Sequence, residues 1–150
     1  MNFRKAKRED VPYIVAMIAD DKLGKQRENY SIPLPENYYR AFDAIAADDN
    51  QELIVVEDNG DGIIGTLQLS FIRYLTYRGG IRAQIEAVRI RKDQRSRGIG
   101  VQLFEWAIER AKEKGAHLLQ LTTDKKRPEA LEFYKKLGFT ASHEGMKLHF

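Results

Sequence analysis

The spacing of apolar positions changes along the chain, and each change predicts a new element. Residues 2–7 alternate between apolar and polar and predict a first strand. A helix is expected to open at Glu9-Asp10-Val11-Pro12, where acids and a proline occupy the first turn. A second helix is expected from Glu36 to about Ala47. Polar residues 20–35, which include one glycine and two prolines, predict a long loop between the two helices.

The middle of the chain has the period of strands. Apolar runs near 53–57, 63–71 and 81–90 predict three consecutive strands. The first two are joined by Asn59-Gly60-Asp61-Gly62, a strong hairpin signal because Asn-Gly accepts the positive φ of tight turns. Residues 76–80 contain two glycines and interrupt the strand pattern before the third strand.

The last third alternates helix and strand. A helix over 98–114, a strand over 117–122, a helix from Pro128 and one or two strands within 139–150 are expected. Residues 1–150 are therefore expected to form a single α/β domain. Its central mixed, mostly antiparallel sheet should have six to seven strands, flanked by about four helices.

Composition narrows the class of protein. The 150 residues contain no cysteine, which excludes disulfides, thiolate metal sites and a cysteine nucleophile and suits the cytoplasm. No apolar run reaches the roughly 18 residues of a membrane span, and residues 1–10 lack the apolar stretch of a signal peptide. The net charge of +3 suits a small anionic ligand and is too weak to indicate nucleic acid. The three histidines are scattered, so no metal is expected.

One segment carries candidate chemistry. A strand ends near Val88-Arg89-Ile90, a short loop follows, and a helix begins at Gly98-Ile99-Gly100 with arginines nearby. Unpaired N–H groups at a helix N-terminus bind phosphate, and glycines allow close approach. The Walker pattern is absent, and a dinucleotide fingerprint would need glycine where Leu103 stands. Without further support, an ordinary tight turn explains the segment as well as a phosphate site does.

Two motifs together resemble the GNAT superfamily of acyl-CoA-dependent N-acyltransferases. Arg95-Ser96-Arg97-Gly98-Ile99-Gly100 is similar to its Arg/Gln-x-x-Gly-x-Gly/Ala loop. Pro128-Glu129-Ala130-Leu131-Glu132-Phe133-Tyr134-Lys135-Lys136-Leu137-Gly138-Phe139 is similar to its Ala-x-x-Phe-Tyr-x-x-x-Gly-Phe segment. The order of elements agrees across essentially the whole chain. One departure is Arg127, where many members carry an asparagine that caps the helix; Asp124 could cap instead.

The resemblance implies a fold, a reaction and a set of residues. It implies direct attack of a primary amine of a small molecule or peptide on acetyl-CoA in a ternary complex, without metal. In the family the strand carrying Val88 separates from the strand carrying Leu121, and an N–H near Val88 polarises the thioester carbonyl. The implied acetyl-CoA-binding residues are Val88, Ile90, Arg95, Ser96, Arg97, Gly98, Ile99, Gly100, Arg127 and Phe133.

Residues of the third predicted strand are candidates for acceptor chemistry. Glu86 is a candidate general base, or alternatively the partner of a neighbouring arginine. Arg82 and Gln84 share its strand face and could bind substrate, although Arg82 could equally be a solvated strand end. Arg73, Arg78 and Arg82 together suggest an acceptor with an anionic group, and residues 20–40 and 73–80 should shape its pocket.

Tyr134 has two interpretations. It shares a helix face with Ala130, Phe133 and Leu137 and therefore points inward, where it could be a core aromatic bonded to a carbonyl. The resemblance implies instead an acid that protonates the leaving thiolate. For the whole protein the alternative is a non-catalytic acyl-CoA sensor of the same fold. The sequence leaves the acceptor unidentified, with a homodimer as one option for assembly.

Overall fold

Five strands and six helices follow one another along residues 1–150, all of which are described by the computed structural model. The strands are β1 (Asn2–Lys5), β2 (Gln51–Asp58), β3 (Gly62–Arg73), β4 (Ile81–Ile90) and β5 (Leu118–Leu121). The helices are α1 (Val11–Ala19), α2 (Gly24–Arg27), α3 (Glu36–Ala47), α4 (Thr76–Gly79), α5 (Ile99–Glu113) and α6 (Pro128–Lys136). Single 3₁₀ turns occupy Arg8–Asp10 and Lys92–Gln94.

The strands form one mixed sheet in the order β1-β2-β3-β4-β5. The first four pair antiparallel, and β5 pairs parallel to β4 after the crossover through α5. Short connections join β2, β3 and β4, whereas α1, α2 and α3 lie between β1 and β2. The α/β class and the mixed, mostly antiparallel sheet are confirmed. The expected strand number is wrong, because the sheet has five strands rather than six to seven.

The sheet is packed on both faces by helices. On one face, Leu103, Phe104 and Ala107 of α5 are at most 1% exposed and contact the inward side chains of β2, β3 and β4. Their i, i+1, i+4 spacing forms the apolar stripe of an amphipathic helix, and each fully buried large side chain contributes about 1.5–3 kcal/mol. On the other face, Val11 and Val15 of α1 pack with Phe42 of α3.

Other boundaries also differ from the sequence prediction. Residues 137–150 form no helix or strand, so the final strands expected within 139–150 are absent. An alternating pattern shows which side chains could share a face, but a strand also needs a hydrogen-bonded neighbour, and this segment has none in its own chain. Six helices replace the expected four, because the single-turn helices α2 and α4 form within segments expected to be loops. None of the helices is both long and apolar enough to cross a membrane.

Candidate active site

β4 and β5 are paired over only part of their length. Their register runs from Arg82 opposite Leu118 to Ile85 opposite Leu121, where β5 ends. β4 continues to Ile90 and remains paired with β3 on its other side. A slot therefore opens between the second half of β4 and the chain that follows β5.

A β-bulge lies where this slot begins. Gln68 of β3 faces Glu86, and Thr66 faces Arg89. Two residues of β4, Ala87 and Val88, therefore lie opposite the single residue Leu67 of β3. Ala87 has a φ of 54°, a left-handed conformation that costs a non-glycine residue roughly 1–2 kcal/mol. A bulge bends the strand that carries it, and no residue of β5 pairs with Val88.

Glu86 stands on the sheet face opposite α5, since its neighbour Ile85 is buried in the cluster that contains the apolar residues of α5. Its carboxylate is solvent-exposed and accepts a hydrogen bond of 2.6 Å from the Gln84 amide. Gln84 in turn accepts one of 2.8 Å from the Gln120 amide. The neighbour that holds Glu86 is thus an amide rather than an arginine, and a row of uncharged groups fixes its position.

Arg82 occupies the opposite end of β4 from the bulge. Its guanidinium lies over the Tyr74 ring, 4.6 Å from the centroid, and the Tyr74 hydroxyl is hydrogen-bonded to His117. Four residues of strand separate Arg82 from Glu86 by about 13 Å. Arg73 and Arg78 are exposed. The structure therefore does not gather the three arginines around Glu86, while Gln84 does contact it.

The glycine loop adopts the backbone that its sequence suggests. Ser96 and Gly98 have φ values of 62° and 77°, and α5 begins at the next residue, Ile99. A Cβ placed on Gly98 would meet no atom within 4 Å, so the N-terminus of α5 is open to a ligand. A Cβ on Gly100 would lie 3.5 Å from Phe133, which brings α6 close to the start of α5.

The buried Gln94 side chain fixes this loop through hydrogen bonds. It is 5% exposed, accepts a hydrogen bond from Arg97, and donates one of 3.1 Å to Asp93. Arg95 donates a hydrogen bond of 3.1 Å to the Ile90 carbonyl. Arg91 is likewise bonded to Asp93, so Arg91, Arg95 and Arg97 are all held by the protein itself, which fixes the loop before any ligand arrives.

A cavity of about 450 Å³ lies on the outer side of the same loop, between α1 and the end of β4. Its lining includes Met17, Ile90 and Arg95, but neither Glu86 nor Tyr134. Ile90 and Arg95 therefore border both this cavity and the loop.

An ion bridge spans the slot. Asp21, which follows α1, accepts a hydrogen bond from Arg127, and one of its oxygens lies 3.6 Å from the Arg89 guanidinium. Burial opposes ionisation of Asp21, but the hydrogen bond and charge of Arg127 outweigh it and hold the Asp21 pKa below its usual range. Burial lowers the pKa of Arg89, whose side chain is only 16% exposed and whose Nε has no partner. Two guanidinium groups share one carboxylate, so the bridge carries a net positive charge.

Tyr134 lies among aromatic rings at the edge of the core. Its ring is 5.4 Å from that of Phe104 and 5.6 Å from that of Phe133. Burial raises the pKa of its hydroxyl, while the positive charges of Arg127 and Arg89 act in the opposite direction. The hydroxyl therefore lies within electrostatic reach of the ion bridge and stays protonated at neutral pH.

Helix α6 begins without a side-chain cap. Arg127 occupies the N-cap position and its side chain reaches Asp21 instead of the helix backbone. Asp124 accepts a hydrogen bond of 2.8 Å from the Lys126 N–H, so it closes the preceding turn rather than capping the helix as suggested. The arginine in place of asparagine thus exchanges a helix cap for a contact across the slot.

The acetyltransferase (GNAT) family profile matches residues 19–139. The chain belongs to this family. The resemblance drawn from the two motifs is confirmed, and the protein is an acetyltransferase.

Two relatives are acetyltransferases by name, and one solved structure has nearly the same fold. An aminoalkylphosphonate N-acetyltransferase of Salmonella typhimurium is 30% identical over 140 residues, covering 93% of this chain and 85% of the relative. An L-methionine sulfoximine/L-methionine sulfone acetyltransferase of Pseudomonas aeruginosa is 28% identical over 145 residues, covering 94% and 81%. The crystal structure of a transcriptional regulator from Bacillus halodurans C-125 is 57% identical, with a TM-score of 0.95 over 99% of both chains.

Sequence reasoning missed three residues that shape this GNAT site. The sequence gives no signal that Asp21 or Arg89 belongs to the site, because the ion bridge joins positions that are far apart in sequence. Gln94 directly precedes the motif, and a polar side chain just before a glycine loop is a signal that could have marked it as an anchor.

Proposed function

We propose that the protein transfers the acetyl group of acetyl-CoA to the primary amine of a small molecule by direct attack within a ternary complex. The observation that carries this proposal is the opening of the slot between β4 and β5 beside the bulge at Ala87. A narrow slot of this kind suits an extended, flexible arm such as pantetheine. The glycine loop at its mouth suits the pyrophosphate.

The donor side is assigned to residues 88–100. Backbone N–H groups at the start of α5 face the pyrophosphate, which the absence of a side chain at Gly98 allows to approach. The Val88 N–H, with no β5 residue opposite, donates to the thioester carbonyl and stabilises the developing oxyanion. The remaining acetyl-CoA contacts are proposed for Ile90, Arg95, Ser96, Arg97, Ile99, Gly100, Arg127 and Phe133.

Proton transfer is assigned to two side chains. Glu86 removes a proton from the acceptor ammonium, directly or through water, because an amine must be neutral to attack. The C–N bond then forms as the C–S bond breaks. Tyr134, kept protonated by burial, gives its proton to the departing thiolate. The second proton of the attacking nitrogen is released as the amide forms and returns through solvent to the Tyr134 oxygen. The amide row Gln120–Gln84 keeps the Glu86 carboxylate in place during this sequence.

The acceptor is proposed to be an amine that also carries an acidic group. The two curated relatives act on aminoalkylphosphonates and on methionine sulfoximine or sulfone, according to their names. Arg89 lies on β4 just past the bulge from Glu86, and the bridge it forms with Asp21 and Arg127 retains net positive charge. Guanidinium groups bind carboxylates and phosphonates well. Arg82 offers a second candidate at the other end of the strand.

Release of free CoA thiol over a panel of amines tests the reaction. We expect acetyl-CoA to be consumed only when an acceptor amine is present, with the acetylated amine detected by mass spectrometry. Tight acetyl-CoA binding with no product on any amine would instead indicate a sensor of the same fold.

Paired amino acids and amino acid amides test the acceptor class. We expect kcat/KM for the acid to exceed that for its amide by about tenfold or more, the value of one charge-assisted contact. Arg89→Gln should remove that preference if Arg89 binds the acidic group, and Arg82→Gln should do so if Arg82 does. Equal kcat/KM across the pairs would show that neither arginine binds the acidic group of the acceptor.

A further inference from the structure

A row of polar side chains follows β4 on the face of the sheet opposite α5. Arg82, Gln84 and Glu86 point to this face, because Ala83 and Ile85 between them are buried against the other one. Arg82 and Gln84 are half-buried and Glu86 is exposed, so a ligand can reach the row from solvent. The row offers that ligand a carboxylate at one end, an amide in the middle and a guanidinium at the other end.

The Arg82 guanidinium has a fixed position and no anionic partner. It lies over the Tyr74 ring, its Nε is buried without a hydrogen-bond partner, and no carboxylate of the protein pairs with it. Arg89, by contrast, donates a hydrogen bond of 2.7 Å to the Val88 carbonyl and lies beside Asp21. A guanidinium that rests on an aromatic face keeps its N–H edge free for a carboxylate, which it binds through two parallel hydrogen bonds.

A small aromatic cluster supports the ring beneath Arg82. The Tyr74 hydroxyl is hydrogen-bonded to Nε2 of His117, and the Tyr77 ring stacks on His117 with 4.6 Å between centroids. Tyr77 and Arg78 have left-handed φ values of 51° and 59°, which non-glycine residues rarely adopt. Strained backbone of this kind persists where surrounding contacts hold it, and it is concentrated at ligand sites. The cluster therefore fixes Arg82 before a ligand arrives.

The amides in the middle of the row have a fixed direction. The Glu86 carboxylate can only accept hydrogen bonds, so Gln84 turns its NH₂ group towards it and its oxygen towards Gln120. Gln120 then donates its own NH₂ group to Gln84, which leaves the Gln120 oxygen free to accept. The middle of the row therefore suits an uncharged group that donates an N–H, such as an amide.

We propose that this row binds an elongated acceptor, with its amine at Glu86, an amide group beside Gln120 and an acidic group at Arg82. The inference rests on the proposed acetyl transfer and adds the shape of the acceptor to it. The Cα atoms of Glu86 and Arg82 are about 13 Å apart along the strand, and the two ends of a single amino acid are too close together to reach both side chains. Three residues of extended peptide span about 10 Å, and the two long side chains can close the remaining distance. A short peptide with free ends thus has the required length and groups.

Acceptors of increasing length test the proposal. Glycine, glycylglycine and triglycine should each be compared with their C-terminal amides, with kcat/KM as the readout. We expect the ratio of acid to amide to be at least about tenfold larger for triglycine than for glycine, the value of one charge-assisted contact. Arg82→Gln should abolish that gain and leave the glycine ratio unchanged. Equal ratios at all lengths, or a gain that survives Arg82→Gln, would overturn the proposal.

Two further variants separate the guanidinium from charge in general. Lys112→Gln removes a positive charge from the exposed surface of α5, on the other face of the sheet, and should keep the full gain. Arg82→Lys keeps the charge without the planar fork and should retain only part of the gain. A full gain in Arg82→Lys, or its loss in Lys112→Gln, would contradict a contact made by the guanidinium itself.

Gln120→Met tests the middle of the row. The compound ω-aminooctanoate has the same number of bonds between its amine and its carboxylate as triglycine, but no amide. Gln120→Met should lower kcat/KM for triglycine about threefold or more beyond its effect on ω-aminooctanoate, the value of one neutral hydrogen bond. Equal losses on the two acceptors would show that Gln120 acts only through Glu86, and the proposed amide contact would be wrong.

Calorimetry of triglycine binding with CoA present keeps this test separate from that of the reaction. If no amine is acetylated, the proposed function fails, but the row can still be tested by binding alone. Arg82→Gln should then raise the Kd of triglycine at least about tenfold. An unchanged Kd would show that Arg82 binds no acidic group and would overturn the proposal.

Discussion

The two halves of β4 differ in what lies beside them. Residues 81–85 have β3 on one side and β5 on the other, and Ala83 and Ile85 are 0% and 3% exposed. Residues 86–90 have β3 alone, include the bulge, and are half-buried or exposed. The first half is a core strand, whereas the second half presents backbone and side chains to a slot.

The second half is held by different forces from the first. In place of a neighbouring strand, Arg89 is held by Asp21, which also binds Arg127 on the far side of the slot. An ion bridge of this kind fixes the position of the strand and leaves space beside its backbone. A fifth strand of full length would give more hydrogen bonds but would close the slot.

Removal of the Tyr134 hydroxyl should have the largest effect on turnover. Tyr134→Phe keeps the packing against Phe104 and Phe133, so acetyl-CoA affinity should stay within about twofold of wild type. We expect kcat to fall about 10- to 10³-fold, because the thiolate loses its acid. Steady-state kinetics with calorimetry of acetyl-CoA binding measures both. Tyr39→Phe, at a half-buried tyrosine of α3, should change neither.

Replacement of Glu86 tests the first residue beyond the paired half. Glu86→Gln should lower kcat at pH 7 about 10²-fold, since the acceptor ammonium loses its base. The deficit should shrink towards pH 10, where free amine is abundant. Glu105→Gln, at an exposed acid of α5, is the control. Wild-type turnover by Glu86→Gln at pH 7 would remove Glu86 from the mechanism.

Gly98→Val tests whether the start of α5 receives the cofactor phosphate. The valine side chain would occupy the open space at the helix N-terminus, so we expect acetyl-CoA affinity to fall at least tenfold. Gly115→Val is a matched control at the other end of α5, with a φ of 73° against 77° and equally open space around its Cβ. Both variants carry the same backbone strain, so equal affinities in the two would contradict the placement.

The smallest effect is expected from the ion bridge, and it depends on pH. The folded-state pKa of Asp21 lies below the unfolded value of about 3.9, so its contribution to stability is complete above that pH and is lost as pH falls through the folded-state pKa. Asp21→Asn should therefore lower the free energy of unfolding by about 1.5–3 kcal/mol at pH 7. Urea titrations should show this difference shrinking below about pH 4. Exposed Asp49→Asn should show neither change.

The sequence predicted the strand–loop–helix turn before α5 well because its signals are local. Glycines at 98 and 100 ahead of an apolar helix pattern mark a strand–loop–helix turn within a few residues. The structure has that turn, with Gly98 in the left-handed conformation at the N-cap of α5. The α/β order followed similarly from changes in hydrophobic period.

The rest depends on contacts that no local pattern contains. The bulge at Ala87 results from how β4 registers against β3, and alanine is not a residue that marks a left-handed φ. Asp21 and Arg127 meet across 106 positions of sequence. The prediction of strands within 139–150 was wrong for the same reason, since alternation at 146–150 does not indicate whether a neighbouring strand is available.

Amide chemical shifts during titration with acetyl-CoA test the central claim most directly. If the slot beside the second half of β4 is the donor site, the amides of Val88, Gly98 and Gly100 should shift strongly, and those of 81–85 and of β1 and β2 should not. Shifts confined to Tyr13, Met17 and their neighbours around the 450 Å³ cavity would place acetyl-CoA elsewhere and contradict the account.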